Sequence, residues 1–135
     1  MISFATTLQN SIASTVLTDI GAAAGSNAKL LLCSGTRPAN GATTPTPLVT
    51  LTVTGALFAS TSGAVGTLNA LPAAAATSGG AGTACTWARL TTSADVFVCD
   101  MSVTATGGGG DLTMDNTTII LGATVTPGTL TLTVL

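Results

Sequence analysis

Apolar and polar side chains alternate along several short runs of this chain, which is the period of a half-buried strand. In Thr83–Leu90, Cys85, Trp87 and Arg89 fall on one face and Ala84, Thr86, Ala88 and Leu90 on the other. In Val96–Val103, Val96 and Val98 alternate with Phe97, Cys99, Met101 and Val103. The polar break Thr91–Asp95 between them has the character of a hairpin loop. This hairpin is expected at the centre of an antiparallel sheet. Further strands are expected at Ala28–Cys33, Leu48–Thr54, Ala64–Leu71, Asp111–Asp115, Thr117–Leu121 and Thr129–Leu135. In the last of these, Leu130, Leu132 and Val134 should face inward.

One segment has a helical period instead. Across Ser3–Ile20, Phe4, Leu8, Ile12, Val16 and Ile20 recur every four residues, with Ala5, Ala13 and Leu17 filling the stripe. Ser3 can act as N-cap, and Gly21 or Gly25 can end the helix. Thr, Ser and Asn in its middle lower its propensity, so it needs a surface to lie on. That surface is either its own domain or a second subunit.

Breakers define the connections. Ser34–Pro47, with Gly35, Pro38, Gly41, Pro45 and Pro47, reads as an extended loop, hence an interaction element or an ordered arm. Gly55–Gly63 reads as a connection whose Leu57 and Phe58 dip into the core. Pro72–Gly82, Gly107–Gly110 and Gly122–Gly128 read as loops and turns. Seven or eight strands after one helix predict an all-β chain: a single jelly-roll-like antiparallel β-sandwich domain over residues 1–135, with residues 1–25 as its N-terminal helical segment and 34–47 as its loop. An immunoglobulin-like sandwich shares this pattern. However, Trp87 follows Cys85 by two residues, which is not the antibody-domain order.

Composition narrows the functional classes. The chain has 135 residues, enough for one domain with a real core. Only 6% of residues are charged, against the usual quarter. Thr is the commonest residue, and it suits a pleated surface that meets water. Regular runs of Leu, Val and Ile argue against disorder. With a formal net charge of −2, little repulsion keeps copies apart, so the protein is expected to live associated with itself or with a larger surface. Lys29, Arg37 and Arg89 are too few and too scattered to track a phosphate backbone, so no nucleic-acid partner is expected. No stretch has the length of a transmembrane span, and no membrane partner is expected. The first residues lack the basic and apolar regions of a secretory signal, which favours synthesis inside the cell.

Candidate chemistry is sparse. Cys33, Cys85 and Cys99 lie inside apolar runs and are expected as buried free thiols. With no His and no Cys-x-x-Cys, no zinc site and no cofactor are expected. Asp111, Asp115 and Asn116 fit no calcium loop and read as turn and strand-end residues. Arg89 shares a face with Trp87 and can pair across the hairpin with Asp100. Arg37, in a Thr-Arg-Pro turn, either pins its loop to the domain or reaches a partner. Ser and Thr abound, but nothing is placed to act as their base, so an enzyme is not expected.

Leu30–Ala39 (LLLCSGTRPA), Gly82–Arg89 (GTACTWAR) and Asp111–Leu121 (DLTMDNTTIIL), in this order after an N-terminal helix, carry a resemblance that spans most of the chain. The sequence resembles the capsid cement, or decoration, proteins of tailed bacteriophages, those of Bordetella podoviruses among them. It departs from them at Cys33, where an aromatic is expected, and in the low charge of its last third. The resemblance implies a jelly-roll domain made in the host cytoplasm, bound as a homodimer rather than a trimer to the virion exterior. It implies the major capsid protein as partner and resistance to internal DNA pressure as function. Phe4, Leu8, Ile12, Arg37 and Pro38 are the candidate partner or subunit contacts. A tail or fibre component, or a glycan-binding adhesin domain, is the alternative, although aromatics for sugar stacking are few. An ice-binding role is suggested by Thr50–Thr54 and Thr129–Thr133, but their Thr-x-Thr pieces keep no constant period.

Overall fold

The structure is a computed structural model that describes residues 4–62, 64–126 and 130–133. One helix, α1 (Thr6–Ala24), precedes the strands β1 (Lys29–Cys33), β2 (Val49–Thr52), β3 (Phe58–Ser62), β4 (Val65–Leu68), β5 (Ala74–Ala75) and β6 (Thr83–Ala84). These are followed by β7 (Trp87–Thr91), β8 (Phe97–Ala105), β9 (Leu112–Met114), β10 (Thr118–Ile119), β11 (Thr124–Val125) and β12 (Thr131–Thr133). Eight of them form one sheet in the order β2-β1-β7-β8-β9-β12-β4-β3. β10 pairs with β6, and β11 with β5, as two small ladders.

The long strand β8 organises the sheet. Its first half closes the expected hairpin with β7, from Trp87 opposite Ser102 to Leu90 opposite Cys99. Its second half pairs with β9, from Val103 opposite Leu112 to Ala105 opposite Met114. That second pairing is parallel, so the sheet is mixed, which corrects the expectation of a wholly antiparallel architecture. Parallel neighbours usually need a long crossover. Here Gly107–Gly110 doubles the chain back across the face of β8. A Cβ on Gly108 or Gly110 would stand 2.8 Å from Thr104 side-chain atoms, a space only glycine can occupy.

α1 packs on β3, β4 and β8. These strands are not all neighbours in the sheet, so the sheet curls around the helix. Leu17 and Ala24 of α1 join Leu30, Leu51, Leu90 and Leu112 in one continuous core. The helix begins after Ala5, which supplies no side-chain cap, and ends at Gly25, whose N–H donates to the Gly21 carbonyl. Ser3, the expected N-cap, lies outside the described residues, as do residues 63, 127–129 and 134–135.

Three further expectations are corrected. The Gly55–Gly63 connection contains β3, whose register slips between Phe58 and Ser60. Thr83–Leu90 is two strands, because the chain changes partner at Cys85 and Thr86. The Cys85 N–H donates to the Thr117 carbonyl beside β10, whereas the Thr86 N–H donates to the Cys33 carbonyl of β1. The loops after Leu71 and after Leu121 each contribute a two-residue strand, β5 and β11. Strand signals of two residues are too short to stand out in a sequence.

Candidate functional site

The helical stripe lies mostly outside the core. Ala13 and Leu17 are fully buried, while Phe4, Leu8, Ile12 and Val16 are 45%, 47%, 38% and 37% exposed. Helix geometry explains the split. A four-residue step turns about 40° past a full turn, so an every-fourth-residue ridge winds around the helix. Within the helix it starts at Leu8, far from the core, and descends to Ile20, which is half-buried against it; Phe4 precedes the N-cap Ala5. Thr15 and Thr18 direct their hydroxyls to the Ser11 and Ser14 carbonyls, which satisfies those polar groups within the helix. Asp19 is the only charged residue of α1, and it is exposed.

The Pro/Gly loop is an ordered arm lying across the outer face of the hairpin. Trp87 Nε1 donates to the Ser34 carbonyl at 3.0 Å, and Thr86 Oγ1 to the Gly35 carbonyl at 2.8 Å. Arg89 donates through Nη1 to the Thr43 carbonyl. With this cover, all five residues of β7 are buried although its two faces carry different side chains.

Beneath the arm, Arg89 grips Asp100 with two hydrogen bonds, Nε to Oδ1 at 2.7 Å and Nη2 to Oδ2 at 2.8 Å. This is the expected cross-hairpin pair. Its guanidinium lies 5.6 Å from the Trp87 ring centroid and 5.1 Å from that of Phe97. Hydrogen bonding to Asp100 pushes the Arg89 pKa up, against the opposing effect of burial, so the guanidinium keeps its charge.

Arg37 turns toward its own domain. Its Nη1 stands 3.4 Å from the Asp100 carbonyl oxygen and 3.8 Å from Asp111 Oδ2, and about half of its side chain stays exposed. Pro38 beside it is half-buried. Lys29 meets Asp95 at 2.8 Å across the hairpin end. Each basic side chain of the protein therefore faces an Asp carboxylate. Asp111 accepts from the Ser102 N–H and hydroxyl, Asp115 from Thr106 Oγ1, and Asn116 from the Thr118 N–H. Each of the three braces a turn beside β8, β9 or β10.

No family model, no curated protein and no solved structure matches this chain. Its chemistry is therefore read from its own geometry. Among the described residues, His, Cys, Asp and Glu form no group of three or more suited to a metal ion. Among the same residues, no helix is long and apolar enough to cross a membrane. A shallow cleft of about 360 Å³ at the β10 and β11 ladders is lined by Asp115, Asn116, Ile119 and Thr124. Asp115 and Asn116 already serve the turns there.

What the surface offers is apolar. Besides the helix ridge, Ile120 and Leu121 are 48% and 56% exposed, and Val96 and Phe97 are 60% and 42% exposed. The sequence pattern did not single out these two pairs. Ile120 and Leu121 fall just past the end of β10, inside a run that reads as one continuous strand, so nothing in the alternation marks them as exposed. The candidate contacts lie on two separate elements. Leu8 and Ile12 lie on the outer ridge of α1, with Phe4 just before its N-cap, whereas Arg37 and Pro38 sit on the arm over β7 and β8.

Proposed function

We propose that this protein is a capsid decoration protein. It attaches to the outer face of an icosahedral bacteriophage shell through the major capsid protein and stiffens that shell. The observation that carries the reading is the exposed apolar ridge of α1 on a protein whose two exposed basic side chains, Lys29 and Arg37, each face an Asp and whose third, Arg89, is paired inside. Such a surface suits dense packing of identical copies, where like charges would repel. The order of the three sequence segments that resemble phage cement proteins supports the same assignment.

The role needs a rigid scaffold and exposed contacts rather than a reactive centre. A curled eight-stranded sheet held by one core supplies the scaffold. Reading that sheet as a jelly-roll-like sandwich belongs to this proposal, as does the placement on the virion exterior. Many modest contacts, repeated by lattice symmetry, add up to firm attachment. The protein is read as a non-enzyme that needs no cofactor.

The test is to mix purified protein with undecorated shells, pellet the shells and measure their disruption temperature. Co-sedimentation together with a raised disruption temperature is expected. Shells that leave the protein in the supernatant, or that bind it and disrupt at an unchanged temperature, overturn the assignment.

A further inference from the structure

Away from the apolar patches, one half of the sheet presents hydroxyls. On the sheet face turned from α1, Thr104, Thr113, Thr131, Thr67 and Ser60 stand side by side on β8, β9, β12, β4 and β3. Neighbouring strands lie about 4.8 Å apart, so a hydroxyl recurs at each step across the row. Thr113 and Thr131 are hydrogen-bonded through their Oγ1 atoms at 2.9 Å. The alternate residues Leu112, Met114 and Leu132 point the other way, into the core. No single run of sequence shows the row, because each strand contributes one member.

The Gly107–Gly110 reversal crosses the row at Thr104 and walls an open groove of about 580 Å³. The floor is Thr113, Thr131 and Thr133, and among the described residues Asp111 is the one charged lining side chain. Gly107 and Gly109 have φ of +86° and +75°, and a Cβ on either would meet only open space. Such a backbone keeps side chains out, so the wall is bare peptide. Asp111 commits Oδ2 to Ser102, which leaves Oδ1 as an acceptor. Val65, the register partner of Thr133, is 37% exposed and adds an apolar surface beside the floor.

We infer that this groove binds a neutral saccharide. Its hydroxyls and peptide groups both donate and accept, as the hydroxyls of a sugar do. Asp111, with no basic side chain lining the groove beside it, disfavours phosphate and sulfate groups. A single carboxylate is too little to hold a calcium ion. The volume falls within the range of roughly 300–1,000 Å³ usual for small-molecule sites. No aromatic ring lines the groove for stacking. Binding therefore rests on hydrogen bonds exchanged with water and should be weak, with Kd on the order of 1 mM. The groove uses no residue of the α1 ridge, so this inference stands apart from the decoration role.

The test is an amide NMR titration of the isotope-labelled protein. Maltotriose, cellotriose and chitotriose are the probes, a hyaluronan tetrasaccharide is the anionic control and glycerol the plain polyol control. Saturable shifts are expected with at least one neutral trisaccharide, confined to Gly107–Gly110, Thr113 and Thr131–Thr133. Thr131→Val and Thr113→Val should each raise Kd about three- to tenfold. Thr52→Val, exposed on the far edge strand, should leave it unchanged. The same spectra show whether each variant keeps its fold, and the two groove threonines sit on different strands, so either variant alone can carry the test. Three neutral probes without a saturable shift overturn the site. So do shifts centred elsewhere, shifts matched by glycerol, tighter binding of hyaluronan, or wild-type affinity in a folded threonine variant. A protein that takes the sugar and ignores shells keeps the groove and removes the decoration role; one that coats shells and takes no sugar does the reverse.

Discussion

Arg89 and Asp100 face each other across the β7–β8 hairpin as a two-pronged ion pair, and both side chains are more than nine-tenths buried. The pair also fastens the arm, since Arg89 Nη1 donates to the Thr43 carbonyl as well. A buried pair of this kind adds little over a well-packed apolar pair, but breaking it strands a charge. Replacing Arg89 with Met should therefore destabilise the fold by about 3–5 kcal/mol, and Asp100→Leu by a similar amount. The double variant Arg89→Met with Asp100→Leu should recover most of that loss. Urea unfolding of the three variants measures the coupling. Additive losses in the double variant would mean that the two side chains act independently.

Phe58 lies in a slot cut by two glycines. A Cβ on Gly66 would come within 2.7 Å of the Phe58 ring and 3.1 Å of Leu17, and one on Gly21 within 3.4 Å of the same ring. The slot is how β3, β4 and α1 approach one another. Gly66→Ala should cost about 1–3 kcal/mol by overpacking, and Phe58→Leu in the same chain should return part of it. Thermal unfolding of the single and double variants is the measurement. A Gly66→Ala protein as stable as wild type would show that the ring has room to move.

The doubling-back of Gly107–Gly110 makes a separate prediction. The Gly110 N–H donates to Thr104 Oγ1 at 2.9 Å, and a Cβ there would meet that oxygen at 2.8 Å and Thr104 Cγ2 at 2.9 Å. Gly110→Ala should loosen the parallel β8–β9 pairing, costing about 1–3 kcal/mol. Hydrogen exchange should show it first at Leu112–Met114, with β1 and β7 unaffected. Uniform loss of protection across the sheet would contradict this local origin.

How much of this was legible in the sequence depends on how far each signal reaches. β1, the β7–β8 hairpin and the Arg89–Asp100 pair were all readable, because alternation within one run fixes a face and a short loop fixes the partner. The arm was readable from its prolines and glycines, although its seat on Trp87 and Arg89 was not. β3 was missed because Ala59, Ser60, Thr61 and Ser62 carry no apolar alternation; the strand exists through its pairing with β4. The parallel β8–β9 step was missed because four glycines signal a turn without giving its direction. Among the candidate contacts, the ridge of α1 was visible as a stripe. Its outward side followed only from the position of Leu17 against the sheet.

The three thiols respond to pH through burial. Burial pushes Cys33 up to about 12 and Cys85 and Cys99 up to about 11, from an ordinary value near 9. Cys33 is also raised by the nearby Cys85 and Asp100 and lowered by Arg89. Nothing in this set is activated toward nucleophilic attack. In the native protein at pH 8 all three should resist a disulfide exchange reagent, and all three should react once the chain is unfolded. The folded state holds these protons more tightly than the unfolded chain. Their contribution to stability is therefore complete below pH 9 and is lost as pH climbs toward 11–12. The slope is at most about 1.4 kcal/mol per pH unit for each thiol. Between pH 9 and 11 the three thiols contribute alike, so the variant Cys33→Ala with Cys85→Ala should make the alkaline limb shallower even if its stability at pH 7 is lower. Urea unfolding midpoints between pH 7 and 11 read this directly. An alkaline limb equally steep in the variant would assign the loss to groups other than the thiols.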